Sequence, residues 1–299
     1  MQSKDILGRL AGACDVRVFN TPKSRNIILV IALACFIGGL AIAFQHQPQA
    51  LERLNWGLIA IVVVIGVPIT LVFNTFEFVL SARLIGQRIA FLQALEITTV
   101  GSAANLLPLP GGMGVRILGL KAAGATYKDS ITTTLFVAFM WLGVSFTYAG
   151  AWIYLVAPGL TARLFLFTGL VILAPSLIIA IRMTREWRTP GLLLGVKVAL
   201  VVADVFTVYL CLLAIGTGAS FAQASAFAIS GPLGSAVSIV PAGLGIREAV
   251  SAAVAPVVGL GAASGFLATA LNRMLGYSVV IPVVASLLLR NTFRKDQLR

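Results

Sequence analysis

Apolar residues run through this chain in blocks long enough to span a hydrocarbon layer, and the charged residues gather between the blocks. At ~1.5 Å of rise per residue, about 20 apolar residues cross the ~30 Å core of a bilayer. Six runs reach that length, at about 26–44, 56–82, 130–157, 160–181, 191–215 and 262–288. Each predicts a transmembrane helix. Two further apolar regions, 89–125 and 222–258, are interrupted by proline and glycine. Both read as two short helices meeting at a turn. Irregular backbone at membrane depth persists only inside protein or along a wet cavity, so re-entrant helical hairpins are expected. The fold class is thus an all-α polytopic membrane protein with six spans and two re-entrant hairpins.

The hairpin turns share a motif. Pro110-Gly111-Gly112-Met113-Gly114-Val115-Arg116 returns as Pro241-Ala242-Gly243-Leu244-Gly245-Ile246-Arg247. Similarity extends upstream, where the segment from Ile85 to Ala94 aligns with Ile215 to Ala224 at an offset of 216 − 86 = 130; the arginines differ by 247 − 116 = 131. The same offset sets Asn74 against Asp204. The chain therefore divides into a basic leader (1–25), a first half (26–157, with hairpin 89–125), a second half (158–290, with hairpin 222–258) and a tail (291–299). Three crossings per half is an odd number, so the second half is expected to be inverted. With the N-terminus inside, the inner segments hold sixteen Lys and Arg and the outer ones hold only Arg53 and Arg163. That asymmetry fits the positive-inside rule and predicts cytoplasmic termini in a cell inner membrane.

Composition narrows the chemistry. The 299 residues are 59% hydrophobic and 11% charged, against about 25% charged in soluble domains. A net charge of +12 could serve nucleic acid, but the basic residues sit in short clusters suited to topology and anionic lipid, so no nucleic-acid partner is expected. Cys14, Cys35 and Cys211 have no paired spacing, and His46 is the single histidine. Metal sites and histidine-based catalysis are not expected, and no nucleotide-binding fingerprint is present, so no cofactor is expected either. The run 26–44 ends in Ala41-Ile42-Ala43, like a signal-peptidase site, but its 25-residue leader favours an uncleaved span. Residues 3–13 could form an amphipathic helix or an unstructured leader, and 182–188 read as an interfacial loop anchored by Trp187.

Arg116, Arg247, Arg273 and Lys197 are the basic residues left inside apolar sequence, accompanied by Glu77, Glu96, Asp204 and Glu248. Gly112, Gly114, Gly243 and Gly245 let backbone approach a ligand closely. In each hairpin the second helix is expected to begin near the arginine, so that a guanidinium and a positive helix end converge on one anion, such as a phosphate. The alternative is structural: Arg116 and Arg247 pair with Glu96, Glu248 or open carbonyls and pin the hairpins. Arg273 and Glu248 are expected to be further contacts for a ligand. Lys197 either serves the site or snorkels to the interface, Asn105 either touches substrate or caps the turn, and Asp204 and Glu77 either relay a coupling ion or form internal salt bridges.

The stretch Arg83-Leu84-Ile85-Gly86, then Phe91 and Asn105-Leu106-Leu107-Pro108 through Arg116, resembles the membrane domain of lysylphosphatidylglycerol synthases and their standalone flippase-like, YbhN-type relatives. So does Pro241 through Glu248, followed by Asn272-Arg273. The resemblance extends from about 26 to 290, with Pro241–Glu248 its most specific part. Members with a catalytic domain aminoacylate phosphatidylglycerol, and the membrane part moves the lipid. The chain ends at Arg299 without such a domain, so the resemblance implies translocation and no enzyme activity. In the family, the helix after the first hairpin often carries a Glu-Arg pair and a later aspartate; 130–157 here carries no charge, and those roles are not transferred.

The expected function is alternating-access flipping of an anionic lipid, a phospholipid or a polyprenyl phosphate. Arg116 and Arg247 would hold the phosphate, with Arg273 and Lys197 as secondary contacts. The partners are membrane lipids, a second copy of the chain or a separate lipid-modifying enzyme. The rivals are an H⁺- or Na⁺-coupled transporter of a soluble anion, a membrane subunit of a lipid-modifying enzyme, and a passive scaffold.

Overall fold

The computed structural model describes residues 22–50, 52, 54–105, 111–184, 187–236 and 243–296. Pro108, Pro110, Pro241 and Ala242 of the motifs, the 3–13 segment, Cys14, Arg53, Arg185 and Glu186 lie outside the described residues. The described residues form eleven α-helical segments: α1 (Pro22–His46), α2 (Trp56–Leu84), α3 (Phe91–Ala104), α4 (Gly111–Ala122), α5 (Tyr127–Val156), α6 (Leu160–Thr184), α7 (Arg188–Ala214), α8 (Phe221–Ser225), α9 (Ser230–Ala236), α10 (Ile246–Val254) and α11 (Ala262–Asp296). No strand occurs among the described residues.

Among the described residues five helices are long and apolar enough to cross a membrane: α2, α5, α6, α7 and α11 over Ala262–Leu287. The expected sixth, α1, is a 25-residue helix, but Lys23 and Arg25 occupy its opening turns and its apolar stretch among the described residues is Val30–His46. Large apolar side chains of α6, including Leu160, Phe167 and Leu170, stand exposed. Hydrocarbon tolerates such a surface and water does not. The chain is a multi-pass membrane protein.

Local signals set the ends of these helices. Asn55 Oδ1 accepts from Gly57 N–H (3.0 Å) and Leu58 N–H (3.2 Å), capping α2. Thr126 Oγ1 accepts from Asp129 N–H at 3.1 Å, which starts α5 at Tyr127 rather than at 130. The second hairpin departs from the expected pair of short helices. Its descending limb is split into α8 and α9 by a 3₁₀ segment, Ala226–Ile229. Pro232 in the first turn of α9 lacks an N–H and its ring crowds the carbonyl four residues back, which disfavours regular α-helix through the residues just before it.

The chain makes the same turn twice. Gly86 N–H donates to Arg83 O (3.0 Å) and Gln87 N–H to Ala82 O (2.9 Å). At an offset of 130, Gly216 N–H donates to Leu213 O (3.0 Å) and Thr217 N–H to Leu212 O (3.1 Å). Gly86 has φ +74° and Gly216 φ +80°, a left-handed conformation in which glycine carries no steric penalty. After the hairpins a second pair of turns matches: Gly124 N–H to Lys121 O (3.1 Å) and Gly259 N–H to Pro256 O (3.1 Å), now 259 − 124 = 135 apart.

Helix packing follows the same plan. Gly143 and Gly150 of α5 lie against Leu173 and Leu166 of α6, an antiparallel pair in which any Cβ would collide. Gly39 of α1 meets the Phe266 ring of α11 in the same way, and Gln47 at the end of α1 donates to Ser264 at the start of α11. Asn55 N–H donates to Ala214 O at 2.9 Å, setting the N-terminus of α2 beside the C-terminus of α7. These two helices therefore run antiparallel.

Candidate functional site

α2 contains a π-helical turn, Val62–Gly66, of the kind that recurs at functional sites. Gly66 there lies so close to α7 that a Cβ would stand 2.6 Å from Thr207 Cγ2. Beyond this crossing α2 presents Asn74 and Glu77, while α7 presents Lys197 and, two turns along the same face, Asp204.

Glu77 is 1% exposed and joins two cations from different parts of the chain. Arg116 Nη1 of α4 donates to its Oε1, and Lys197 Nζ of α7 lies 2.7 Å from its Oε2. Arg116 Nη2 also donates to Asn74 Oδ1 at 3.3 Å. Lys197 is 2% exposed and stands 5.5 Å from the centroid of the Trp141 ring on α5. It points inward and does not snorkel. Glu96, the acid considered as an Arg116 partner, is exposed on α3.

The second hairpin uses its charges differently. Glu248 Oε2 accepts from Gly245 N–H at 2.9 Å and from Arg273 Nη2 at 2.9 Å, and Arg273 Nη2 also donates to Gly243 O at 3.0 Å. Both Glu248 (0% exposed) and Arg273 (6%) are buried. This pair pins the turn ahead of α10. The positive end of α10 is therefore met by its own Glu248 carboxylate. The expectation that it stands open to a ligand needs correcting. Asn105 Oδ1 plays a related part in the first hairpin, accepting from Gly112 N–H at 3.1 Å. Gly114 lies in the first turn of α4.

Arg247 is not claimed by Glu248. Its aliphatic chain fits against Gly234, where a Cβ would stand 2.1 Å from Cγ. Its Nη2 and the Trp141 ring flank Gly231, where a Cβ would lie 3.3 Å and 3.1 Å away. Arg247 Nε is buried without a partner, and the guanidinium makes no hydrogen bond or ion pair among the described residues. Asp204 is within electrostatic reach of Arg247 and Lys197 but forms no ion pair there. A buried Nε–H without an acceptor is a costly state that an anion would relieve. Formally, four buried or half-buried cations (Arg116, Lys197, Arg247, Arg273) face three acids (Glu77, Asp204, Glu248), which leaves 4 − 3 = +1.

Trp141 carries no charge, so charge-based reading of the sequence missed it; the structure brings it between Lys197 and Arg247. Two grooves adjoin the hairpins. One of about 650 Å³ is lined by α1 (Ile31, Cys35), by Leu244, Ile246, Val250 and Ala253 at and before α10, and by Phe266. Its lining is almost wholly apolar. The other, of about 760 Å³, lies at the first glycine turn beside Arg83, Gln87 and Arg88. Among the described residues no His, Cys, Asp and Glu cluster could hold a metal.

Residues 181–283 match the family model described as the lysylphosphatidylglycerol synthase TM region. The matched segment holds Lys197, Asp204, Arg247, Glu248 and Arg273. It supports the family resemblance carried by the motifs and is consistent with a lipid-related membrane protein. No curated protein matches the chain.

Proposed function

We propose, with the match to the lysylphosphatidylglycerol synthase TM region as premise, that this chain is a flippase for an anionic lipid and not itself an enzyme. Its two halves would be an inverted repeat whose hairpins re-enter the membrane from opposite sides. The paired glycine turns at an offset of 130 and the antiparallel run of α2 and α7 support that reading. Inverted repeats with broken helices meeting at a central site allow one half to rock against the other. The observation that carries the functional reading is Arg247: a partly buried guanidinium, without acceptor, held against Gly231, Gly234 and Trp141, on a hairpin whose α10 separately borders an apolar groove against α1.

In the proposed mechanism a lipid phosphate docks against Arg247, with Trp141 and Lys197 closing the side toward α5. The charge-assisted bonds to the guanidinium replace those lost from water. Arg116, whose side chain is 24% exposed and already shares Glu77 with Lys197, would receive the same group when the halves tilt the other way. Arg273 and Glu248 hold the hairpin turn in shape. Hydrocarbon chains remain in the bilayer and in the apolar groove while the head group crosses. The basic residues between the spans support cytoplasmic termini.

A coupled transporter of a soluble anion is the second reading, and Asp204 is the observation that favours it, since this acid lies free of ion pairs beside two cations. Reconstituted vesicles separate the two. The flippase reading expects Arg247→Ala to lower translocation of labelled phosphatidylglycerol by about 100-fold, the cost of one desolvated charge-assisted contact of ~2–3 kcal/mol. Normal lipid movement in that variant would refute the assignment, and uptake of a soluble anion by wild-type protein would favour the rival.

A further inference from the structure

The two halves carry equivalent elements in unequal states. In the first, Arg116 is held by Asn74 and Glu77 of the preceding span. At the offset of 130, Asn74 corresponds to Asp204 and Glu77 to Thr207. Arg247 touches neither: its Nε is unpartnered, and Asp204 lies near it without an ion pair. Half one is thus latched, arginine to span, and half two is unlatched. Inverted repeats interconvert by exchanging the conformations of their halves, so the opposite state is built by giving half two the geometry of half one. That operation brings the Arg247 guanidinium onto Asp204 and draws Arg116 away from Asn74 and Glu77.

From this we infer that Asp204 is a positioning residue that takes the Arg247 guanidinium in the opposite state and so competes with the lipid phosphate for it. The inference rests on the flippase reading above. A carboxylate and a phosphate recognise the same fork of a guanidinium, so an Asp204 carboxylate seated on the edge that faces the phosphate displaces the anion from it. Asp204 would expel the anion from Arg247 at the end of each passage and prevent the site from becoming a trap. The latches also differ in kind. Arg116 is caught by a buried acid shared with Lys197, whereas Arg247 would be caught by Asp204 alone, because position 207 offers only a hydroxyl.

The test uses the full-length protein with Asp204→Asn, which copies the amide found at Asn74. Removing a competitor raises apparent affinity by the fraction of time the site was blocked. Binding of dihexanoyl phosphatidylglycerol to the detergent-solubilised variant should tighten by about threefold to tenfold. Translocation of labelled phosphatidylglycerol in phosphatidylcholine vesicles should fall about tenfold, because release is slowed. Asp204→Glu, which keeps the acid, should recover most of the rate. A merely structural Asp204 would weaken both readouts along with thermal stability and would never tighten binding. Unchanged or weaker binding by Asp204→Asn overturns the inference. Arg247→Ala is measured alongside: if it loses binding while Asp204→Asn behaves as wild type, only the role of Asp204 falls. If Arg247→Ala binds and transports normally, the flippase site itself is wrong.

Discussion

The two hairpins contrast most at their arginines. Arg116 is tied into an acid on a neighbouring span, and its hairpin is held by that charge together with the Asn105 cap. Arg247 has been released from this duty, because Arg273 supplies the structural cation for Glu248 in its place. In this conformation the same motif thus yields one arginine engaged by the protein's own side chains and one with its hydrogen-bonding capacity unspent. The lesson concerns partners: a buried arginine becomes available to a ligand when some other cation neutralises the acid it would otherwise meet.

Removing Glu77 should disturb the molecule most. Glu77→Ala leaves Arg116 and Lys197 without a counter-charge, and breaking a buried ion pair costs about 3–5 kcal/mol. The variant should melt well below wild type in detergent; an unchanged melting temperature would mean that the cations find other acceptors. Arg247→Ala should show the opposite profile, losing transport while changing stability by about 1 kcal/mol or less, since no hydrogen bond is broken. A large loss of stability would mean that both arginines are structural, and the contrast would collapse.

The glycines sharpen it further. Gly243 has φ +61°, and a Cβ there would stand 2.3 Å from Gly234 O, a backbone atom. Gly243→Ala should cost at least ~2 kcal/mol from backbone strain and collision. Gly112→Ala meets the Asn105 side chain at 2.2 Å, which can swing aside. Its cost should stay near 1 kcal/mol, the value of a lost cap. Equal effects by thermal melting would show that the first turn is as rigid as the second. The smallest effect belongs to exposed Glu96, where Glu96→Gln should shift stability by no more than ~0.5 kcal/mol and leave transport unaltered.

Much of this architecture was legible from the residues alone. The offset of 130 announced the duplicated turn, and Gly86 and Gly216 both adopt the left-handed conformation their sequence context requires. The start of α2 falls at the expected 56, whereas α5 begins at Tyr127, ahead of its apolar run at 130, because Thr126 caps it outside that run. The break between α8 and α9 escaped notice because Pro232 lies in an otherwise continuous apolar stretch. At the site, the charged residues were identified but several partners were not. Glu77 and Lys197 are 120 positions apart, and no local pattern links them. Trp141 carried no signal beyond its type.

Sequence by itself determined where most helices form, where they break, and that Arg116 and Arg247 occupy matching places in two copies of one motif. Those properties depend on hydrophobic run length, proline, glycine and local caps, all of which act within a few residues. Only the tertiary structure decided which acid meets which cation. That choice follows from the crossing of α2 with α7 and the docking of α11 on the second hairpin, where a few ångströms determine whether a guanidinium is consumed by a carboxylate or left open to an anion.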